Sequence, residues 1–209
     1  MPGGGNMKKI VLATGNQHKL QEMQDILRPQ GLDIISQKHF FNEEALENGL
    51  SFIENAIIKA RFASKKTGLP AIADDSGLEV KSLNKQPGIY SARYSEGYLN
   101  QTATDDLNNQ KLLAELEKST STDRTACYYC AMVYVEDAED PTPIIGLGKW
   151  CGKVLHQEIG KGGFGYDPLM WFDSHQCTAA EMSKIKKNKI SHRAIAMQNL
   201  LKNLTQANK

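Results

Sequence analysis

The sequence predicts a mixed-sheet α/β or α+β fold, and three observations carry that reading. Short apolar runs end in Gly, Asn or Asp turns, as strands do. Between them lie segments with helical apolar spacing and recognisable caps. The two kinds of segment are interleaved without strict alternation, so a purely parallel βαβ array is not expected.

Lys8-Lys-Ile-Val-Leu-Ala-Thr14 reads as a strand that ends in a Gly-Asn turn, and a helix follows from about Gln17 to Leu27, stopped near Pro29 and Gly31. The clearest helix begins at Ser51, where Ser51 and Glu54 form a capping-box pattern that satisfies otherwise orphaned N–H groups. Phe52, Ala56, Ala60 and Ala63 then share one face, and Gly68 with Pro70 marks the stop. The apolar stretch Ala71-Ile-Ala73 runs into Asp74-Asp75-Ser76-Gly77, and Leu78 to Leu83 reads as a further strand. Asp105 to Leu116 is helical, with Leu107, Leu113 and Leu116 as core contacts. Arg124 to Val135 and Ile144 to Trp150 flank the turn-forming residues 137–143 as a hairpin, and Gly152 to His156 extends the sheet. A glycine-rich loop, Gly160 to Gly165, precedes Tyr166-Asp167-Pro168. Thr178-Ala-Ala-Glu181 repeats the capping-box pattern, and an amphipathic helix from about His192 to Leu204 follows. Residues 1–7 read as a flexible leader and residues 8–204 as a single domain, without repeats or a low-complexity linker.

The chain's 209 residues suffice for one well-cored domain or two small lobes. A formal charge of +1 argues against a broad basic face, so nucleic acid is not an expected partner, whereas a pocket for a phosphorylated small molecule needs only a few cations. No apolar run approaches the roughly 20 residues that span a membrane, and no secretory h-region is visible. The cysteines are Cys127, Cys130, Cys151 and Cys177. Cys127-Tyr-Tyr-Cys130 has CxxC spacing but lies in a strand-like run with no second CxxC or paired His. Buried thiols in a reducing cytoplasm are therefore expected, rather than a zinc or redox centre.

Four polar constellations interrupt these elements. Thr14-Gly15-Asn16-Gln17-His18-Lys19 lies between a strand and a helix, where a glycine allows close approach and a helix N-terminus offers free N–H groups; Lys19 could add a full charge. It lacks the spacing of a Walker A loop, and by itself it equally describes an ordinary strand–helix turn. Glu47 before the capped helix, with Asp74-Asp75 after a strand, supplies hard oxygen ligands of the kind that suit Mg²⁺, although the same residues could simply form a turn and a solvated side chain. Gly162-Gly163-Phe164-Gly165-Tyr166-Asp167-Pro168 places exposed backbone groups beside an aromatic ring, a combination that suits a planar nucleobase or a flexible hairpin loop. Lys184, Lys186, Lys187 and Lys189 form either a solvated basic face or a ligand-facing one, and Ser191-His192-Arg193 sits where the final helix begins, so that donors there could face a ligand. His39, His156 and His175 are isolated and are assigned no role.

Taken in this order, these motifs resemble the inosine triphosphate pyrophosphatase family, hydrolases of non-standard purine nucleoside triphosphates. The matching text is Ala13-Thr-Gly-Asn-Gln-His-Lys19, Glu47-Asn-Gly-Leu-Ser-Phe-Ile-Glu-Asn-Ala56, Ala73-Asp-Asp-Ser-Gly-Leu78, Pro87-Gly-Ile-Tyr-Ser-Ala-Arg-Tyr94, the Gly162–Pro168 loop and Ser191-His-Arg193. The resemblance runs from about Lys8 to Leu201. It implies an elongated mixed β-sheet with helices forming two lobes around a central nucleotide-binding cleft, and a cytoplasmic homodimer. It also implies that Asp75 is the catalytic carboxylate and a Mg²⁺ ligand, with Glu47 the second acidic ligand. Thr14, Gly15, Asn16, Gln17, His18, Lys19 and Lys187 match phosphate-binding positions, and Ser76 the adjoining substrate contact. Phe164, Gly165, Tyr166, Asp167, His192 and Arg193 match the base-recognition segments. His156-Gln-Glu-Ile159 and Trp171-Phe-Asp-Ser174 lack prolines common in the family, and Cys151 is atypical; these departures bear on loops and dimer contacts rather than on chemistry.

The expected reaction is attack of water at the α-phosphorus of ITP, dITP or XTP, with pyrophosphate leaving and the monophosphate retained. Two rivals share parts of this pattern. A related-fold pyrophosphatase for other modified nucleotides would carry a different base-binding loop, and a non-catalytic nucleotide-binding regulator would not need both Glu47 and Asp75.

Overall fold

The computed structural model describes residues 9–14, 17–30 and 32–207; of His18 and Lys19 it describes the helix they lie in and not their side chains. The fold is mixed α/β. One seven-stranded sheet has the order β2-β1-β3-β4-β5-β6-β7, formed by β1 (Lys9–Ala13), β2 (Asp33–Ser36), β3 (Ala71–Val80), β4 (Thr125–Val135), β5 (Ile144–Val154), β6 (Met170–Phe172) and β7 (Cys177–Thr178). The helices are α1 (Gln17–Leu27), α2 (Phe52–Thr67), α3 (Asp105–Lys118), α4 (Lys184–Ile190) and α5 (His192–Ala207). β1 pairs in parallel with β2 and β3, whereas β6 pairs antiparallel with β5 and β7, which makes the sheet mixed. Among the described residues no helix is long and apolar enough to cross a membrane.

The described residues form two compact units, one within 9–75 with 131–147 and 196–207, the other 76–130 with 148–195. In the first unit, α2 lays Ala56, Ala60 and Ala63 against Val11, Ala13, Ala71, Ala73 and Ala131. Small side chains on both surfaces let helix and sheet approach closely. Ser51 caps α2 by accepting from the Glu54 N–H at 3.2 Å, and Gly68, at φ +68°, ends it in the left-handed region. The Glu54 carboxylate closes the box one residue early, on the Leu50 N–H at 2.9 Å. Gly146 of β5 admits α5: a Cβ there would meet the Ala196 carbonyl oxygen at 2.2 Å.

The second unit is built on aromatic and larger aliphatic side chains, including Leu78, Leu112, Leu116, Tyr128, Trp150, Tyr166, Leu169 and Phe172. Trp150 and Phe172 stack with ring centroids 3.7 Å apart. The 178–181 pattern forms as expected, with Glu181 accepting from the Thr178 N–H at 2.8 Å, but it caps a single 3₁₀ turn rather than a helix.

Several expectations need correction. The Asp74–Gly77 segment is not a turn beyond a strand; β3 runs unbroken from Ala71 to Val80 and carries both aspartates inside it, while residues 81–83 form a 3₁₀ turn. The basic run at 184–190, whose secondary structure the sequence reading left open, is a helix, α4, capped by Ser183. Cys127 and Cys151 are not free thiols: they form a disulfide, with Cα atoms 4.0 Å apart on the neighbouring strands β4 and β5. Cys127 and Cys130 are three apart in a strand and so face opposite sides of the sheet, which is why the CxxC spacing carries no chelate here. Cys130 is the buried free thiol that was expected.

Candidate active site

The acidic cluster grows from α2 and β3. Asn55 and Lys59 are one helical turn apart and project the same way, beside the buried alanine face. Asn55 is buried, accepts from the Gly49 N–H at 2.9 Å and donates its own amide to Asp75 Oδ2 at 3.3 Å. Lys59 Nζ lies 3.4 Å from Asp75 Oδ1 and 3.2 Å from Glu47 Oε2. Two carboxylates distant in sequence thus share one ammonium. Burial is the largest influence on Lys59 and pushes its pKa down, but Asp75, Asp74 and Glu47 together outweigh it and hold the ammonium above its ordinary range. Asp75 bonds to both Asn55 and Lys59 of α2, and the charge of Asp74, the preceding residue of β3, also acts on Lys59. Thr14 follows β1 and is buried, and the β1–β3 register, Ala13 opposite Ala73, sets it level with Asp74 at the carboxyl end of β1.

The second cluster centres on Asp167. Its Oδ1 accepts from the Tyr128 hydroxyl at 2.9 Å, and its Oδ2 accepts from Lys187 Nζ at 2.6 Å and from the Phe164 N–H at 3.2 Å. Gly163, at φ +72°, makes the last bond possible, because a Cβ there would meet Asp167 Oδ2 at 2.1 Å. The half-buried Phe164 ring has Lys187 Nζ 5.6 Å and the Arg193 guanidinium carbon 4.8 Å from its centroid, both within cation–π range. Helix α3 fixes the next residue from one side: Asp105 accepts from the Gly165 N–H at 2.8 Å, and Asn109, one turn on, donates to the Gly165 carbonyl at 3.2 Å. Ser191 caps α5 through the Ala194 N–H, which presents His192 and Arg193 at the helix start. His192 stacks on Tyr128 at 4.7 Å, and Arg193 Nη2 reaches Ser76 Oγ at 3.4 Å. Burial is the chief reason the Tyr128 hydroxyl is held well above its ordinary pKa, and the adjacent Asp167 carboxylate adds to it.

A family model described as the Ham1 family matches residues 10–203. The chain belongs to the Ham1 family. It is 50% identical over 196 residues to a Vibrio cholerae protein named dITP/XTP pyrophosphatase, covering 94% of this chain and 96% of the relative. A Ham1 protein from Coxiella burnetii has the same fold, with a TM-score of 0.88 and 46% identity, over 96% of this chain and 100% of the other. A Mycobacterium abscessus structure titled nucleoside-triphosphatase / dITP/XTP pyrophosphatase superposes with a TM-score of 0.72 at 37% identity, over 92% of this chain and 97% of that one.

Within this Ham1-family chain, Glu47 and Asp75 come together, as do Phe164, Asp167, Lys187 and Arg193. Gly15, Asn16 and the side chains of His18 and Lys19 lie outside the described residues, and Gln17 begins α1 as an exposed residue. Two of the expected residues have partners within the chain. Lys187, grouped by resemblance with the phosphate positions, has its buried ammonium committed to Asp167 beside Phe164. Tyr166 turns its ring into the core and donates its hydroxyl to the Ser91 carbonyl at 2.7 Å. Sequence reading passed over Asn55, Lys59, Tyr128, Asp105 and Asn109. The spacing Ser51, Asn55, Lys59 along a capped helix was a usable signal for the first two, whereas Tyr128 lay in an apolar strand and gave none.

The acidic cluster also fits a hard divalent ion. Glu47 and Asp75 already converge on a cation, that of Lys59. Among the described residues no group of three or more His, Cys, Asp or Glu could hold a metal by itself. Two carboxylates suffice for Mg²⁺, which takes its other oxygens from water and substrate phosphate.

Proposed function

We propose that this chain hydrolyses ITP, dITP and XTP to the monophosphate and pyrophosphate in a Mg²⁺-dependent reaction. The observation that carries the reading is the convergence of Glu47 and Asp75 on one half-buried cation. Glu47 and Asp75 would hold the ion, which when bound neutralises phosphate charge. Asp75, its second oxygen fixed by Asn55, orients a water and takes its proton as the water oxygen bonds to the α-phosphorus. The bond from that phosphorus to the bridging oxygen breaks, and the electron pair leaves with pyrophosphate. Thr14, Gly15, Asn16, Gln17, His18 and Lys19 are proposed to cradle the phosphates, with Lys19 offsetting charge on the leaving group.

Base choice follows from the Lys187–Asp167 pair, which presents a donor and an acceptor side by side next to Phe164. Hypoxanthine and xanthine offer the complementary 6-oxo acceptor and N1–H donor, whereas adenine reverses both. A reversed edge leaves buried groups unpaired, at about 1–3 kcal/mol each. Guanine matches on this edge and differs only in its 2-amino group. Homodimer formation and action in the cytoplasm belong to the same proposal and rest on family likeness.

The deciding experiment is a panel of ITP, dITP, XTP, ATP and GTP with pyrophosphate and inorganic phosphate detected separately. Pyrophosphate release from the first three is expected. Stepwise release of inorganic phosphate would refute the reading.

A further inference from the structure

We infer that the Lys59 ammonium is the resident counter-ion of the Glu47–Asp75 pair, withholding the pair from free Mg²⁺ and yielding it only when a nucleotide arrives. The inference rests on the proposed metal role of that pair. Lys59 Nζ stands 3.2 Å from Glu47 Oε2 and 3.4 Å from Asp75 Oδ1, with side-chain exposures of 15%, 27% and 10% for Lys59, Glu47 and Asp75. A metal ion held by the pair must come to about 2.1 Å from an oxygen of each carboxylate, and Asp75 Oδ2 already accepts from Asn55, which leaves the side that Lys59 occupies. Ammonium and metal cannot occupy that position together, and a dication entering beside a fixed ammonium meets strong repulsion in a poorly solvated place.

The exchange is one that lysine permits. Its backbone is fixed in α2, but the charge sits at the end of a flexible four-carbon stem and can swing away without disturbing the helix. Charge decides when it swings. Counting Asp74, which also acts on Lys59, three carboxylates and one ammonium leave two net negative charges, no more than a dication would cancel, so nothing remains there to hold a displaced ammonium. A triphosphate brings several further negative charges, enough to retain the dication and to receive the displaced ammonium on a phosphate oxygen. Metal entry is thereby coupled to nucleotide binding, and each favours the other.

The test is Mn²⁺ binding to the nucleotide-free full chain, followed by electron paramagnetic resonance of free Mn²⁺. Wild type is expected to bind weakly, and Lys59→Met to bind on the order of tenfold more tightly because the competing charge is gone. Lys59→Arg, which keeps the charge, is expected to stay weak. Adding an inosine triphosphate analogue with an imido bridge between the α and β phosphates should raise affinity more in wild type than in Lys59→Met. A purely structural lysine would give no gain of metal affinity, so equal or weaker Mn²⁺ binding by Lys59→Met overturns the inference. Should methionine lower the melting temperature too far, Lys59→Gln serves, with the rise of melting temperature on adding Mn²⁺ as readout; a rise no steeper than in wild type again overturns it. Glu47→Gln and Asp75→Asn separate the two levels. If neither weakens Mn²⁺ binding by the analogue-loaded protein, the metal site itself fails; if both do and Lys59→Met gains nothing, only the role of Lys59 falls.

Discussion

Asn55 holds Asp75 by one oxygen: its amide nitrogen donates to Asp75 Oδ2 at 3.3 Å, while its own oxygen accepts from the Gly49 N–H at 2.9 Å. The loop that carries Glu47 and the strand that carries Asp75 are therefore registered by a single buried side chain. Asn55→Leu, similar in size but without polar groups, removes both of these hydrogen bonds. An unfolding free energy lower by about 1–3 kcal/mol is expected, together with a fall in kcat larger than any change in KM. Urea denaturation alongside steady-state kinetics checks both, and a variant with wild-type kcat would show that Asp75 needs no such restraint.

Asp75→Asn removes charge while keeping shape. Nearly complete loss of turnover with an unchanged melting profile is expected, because the water loses its base and one metal ligand loses its charge. Glu47→Gln is expected to raise the Mg²⁺ concentration needed for half-maximal rate more than it raises KM for nucleotide. Near-normal turnover of Asp75→Asn at saturating Mg²⁺ would withdraw the catalytic assignment.

Phe164 and Arg193 lie 4.8 Å apart, ring centroid to guanidinium carbon, yet substituting them should have different consequences. Stacking does not distinguish purines, since every purine has a π-face. Phe164→Ala is therefore expected to weaken ITP and ATP alike, by about 1–3 kcal/mol in kcat/KM. Arg193→Ala is expected to cost ITP more than ATP and so to shrink the discrimination ratio. Equal losses for the two substrates in Arg193→Ala would mean that Arg193 holds phosphate or structure.

Three of the seven tyrosines, Tyr94, Tyr128 and Tyr166, are pushed above the ordinary phenol range chiefly by burial, Tyr94 to about 12. A raised folded pKa favours the neutral phenol. Its contribution to stability is fully present below the unfolded value near about 10 and is lost as pH rises through the folded value. Tyrosinate absorbance is thus expected to show fewer phenols ionising in native protein than in denatured protein between about pH 10 and 12, with Tyr94→Phe removing a late-titrating group. Coincident native and denatured titrations would contradict the burial of these hydroxyls.

Much of the molecule is written locally. The Ser51 cap, the alanine face of α2, the glycine stop at Gly68 and the start of α5 at Ser191 depend on neighbours within a turn or two, so apolar spacing and capping chemistry reveal them in the chain itself. Glu47, Asp75, Phe164, Asp167 and Arg193 can be singled out in the chain because each lies in a short run that resembles a family motif. Three things were not legible, because they depend on which elements become neighbours in space. Local residue types do not show that Asp74 and Asp75 lie inside one unbroken strand, from which Asp75 bonds to Asn55 and Lys59 of α2. Lys187 belongs to a run of similar lysines, and only the packing of α4 against the glycine loop commits its ammonium to Asp167. Cys127 looks like the partner of Cys130 along the chain, yet strand alternation turns those two apart while the β4–β5 pairing brings Cys151 to it. Each of these outcomes depends on a long-range register or packing choice, which fixes where a side chain points without altering the residues beside it in sequence.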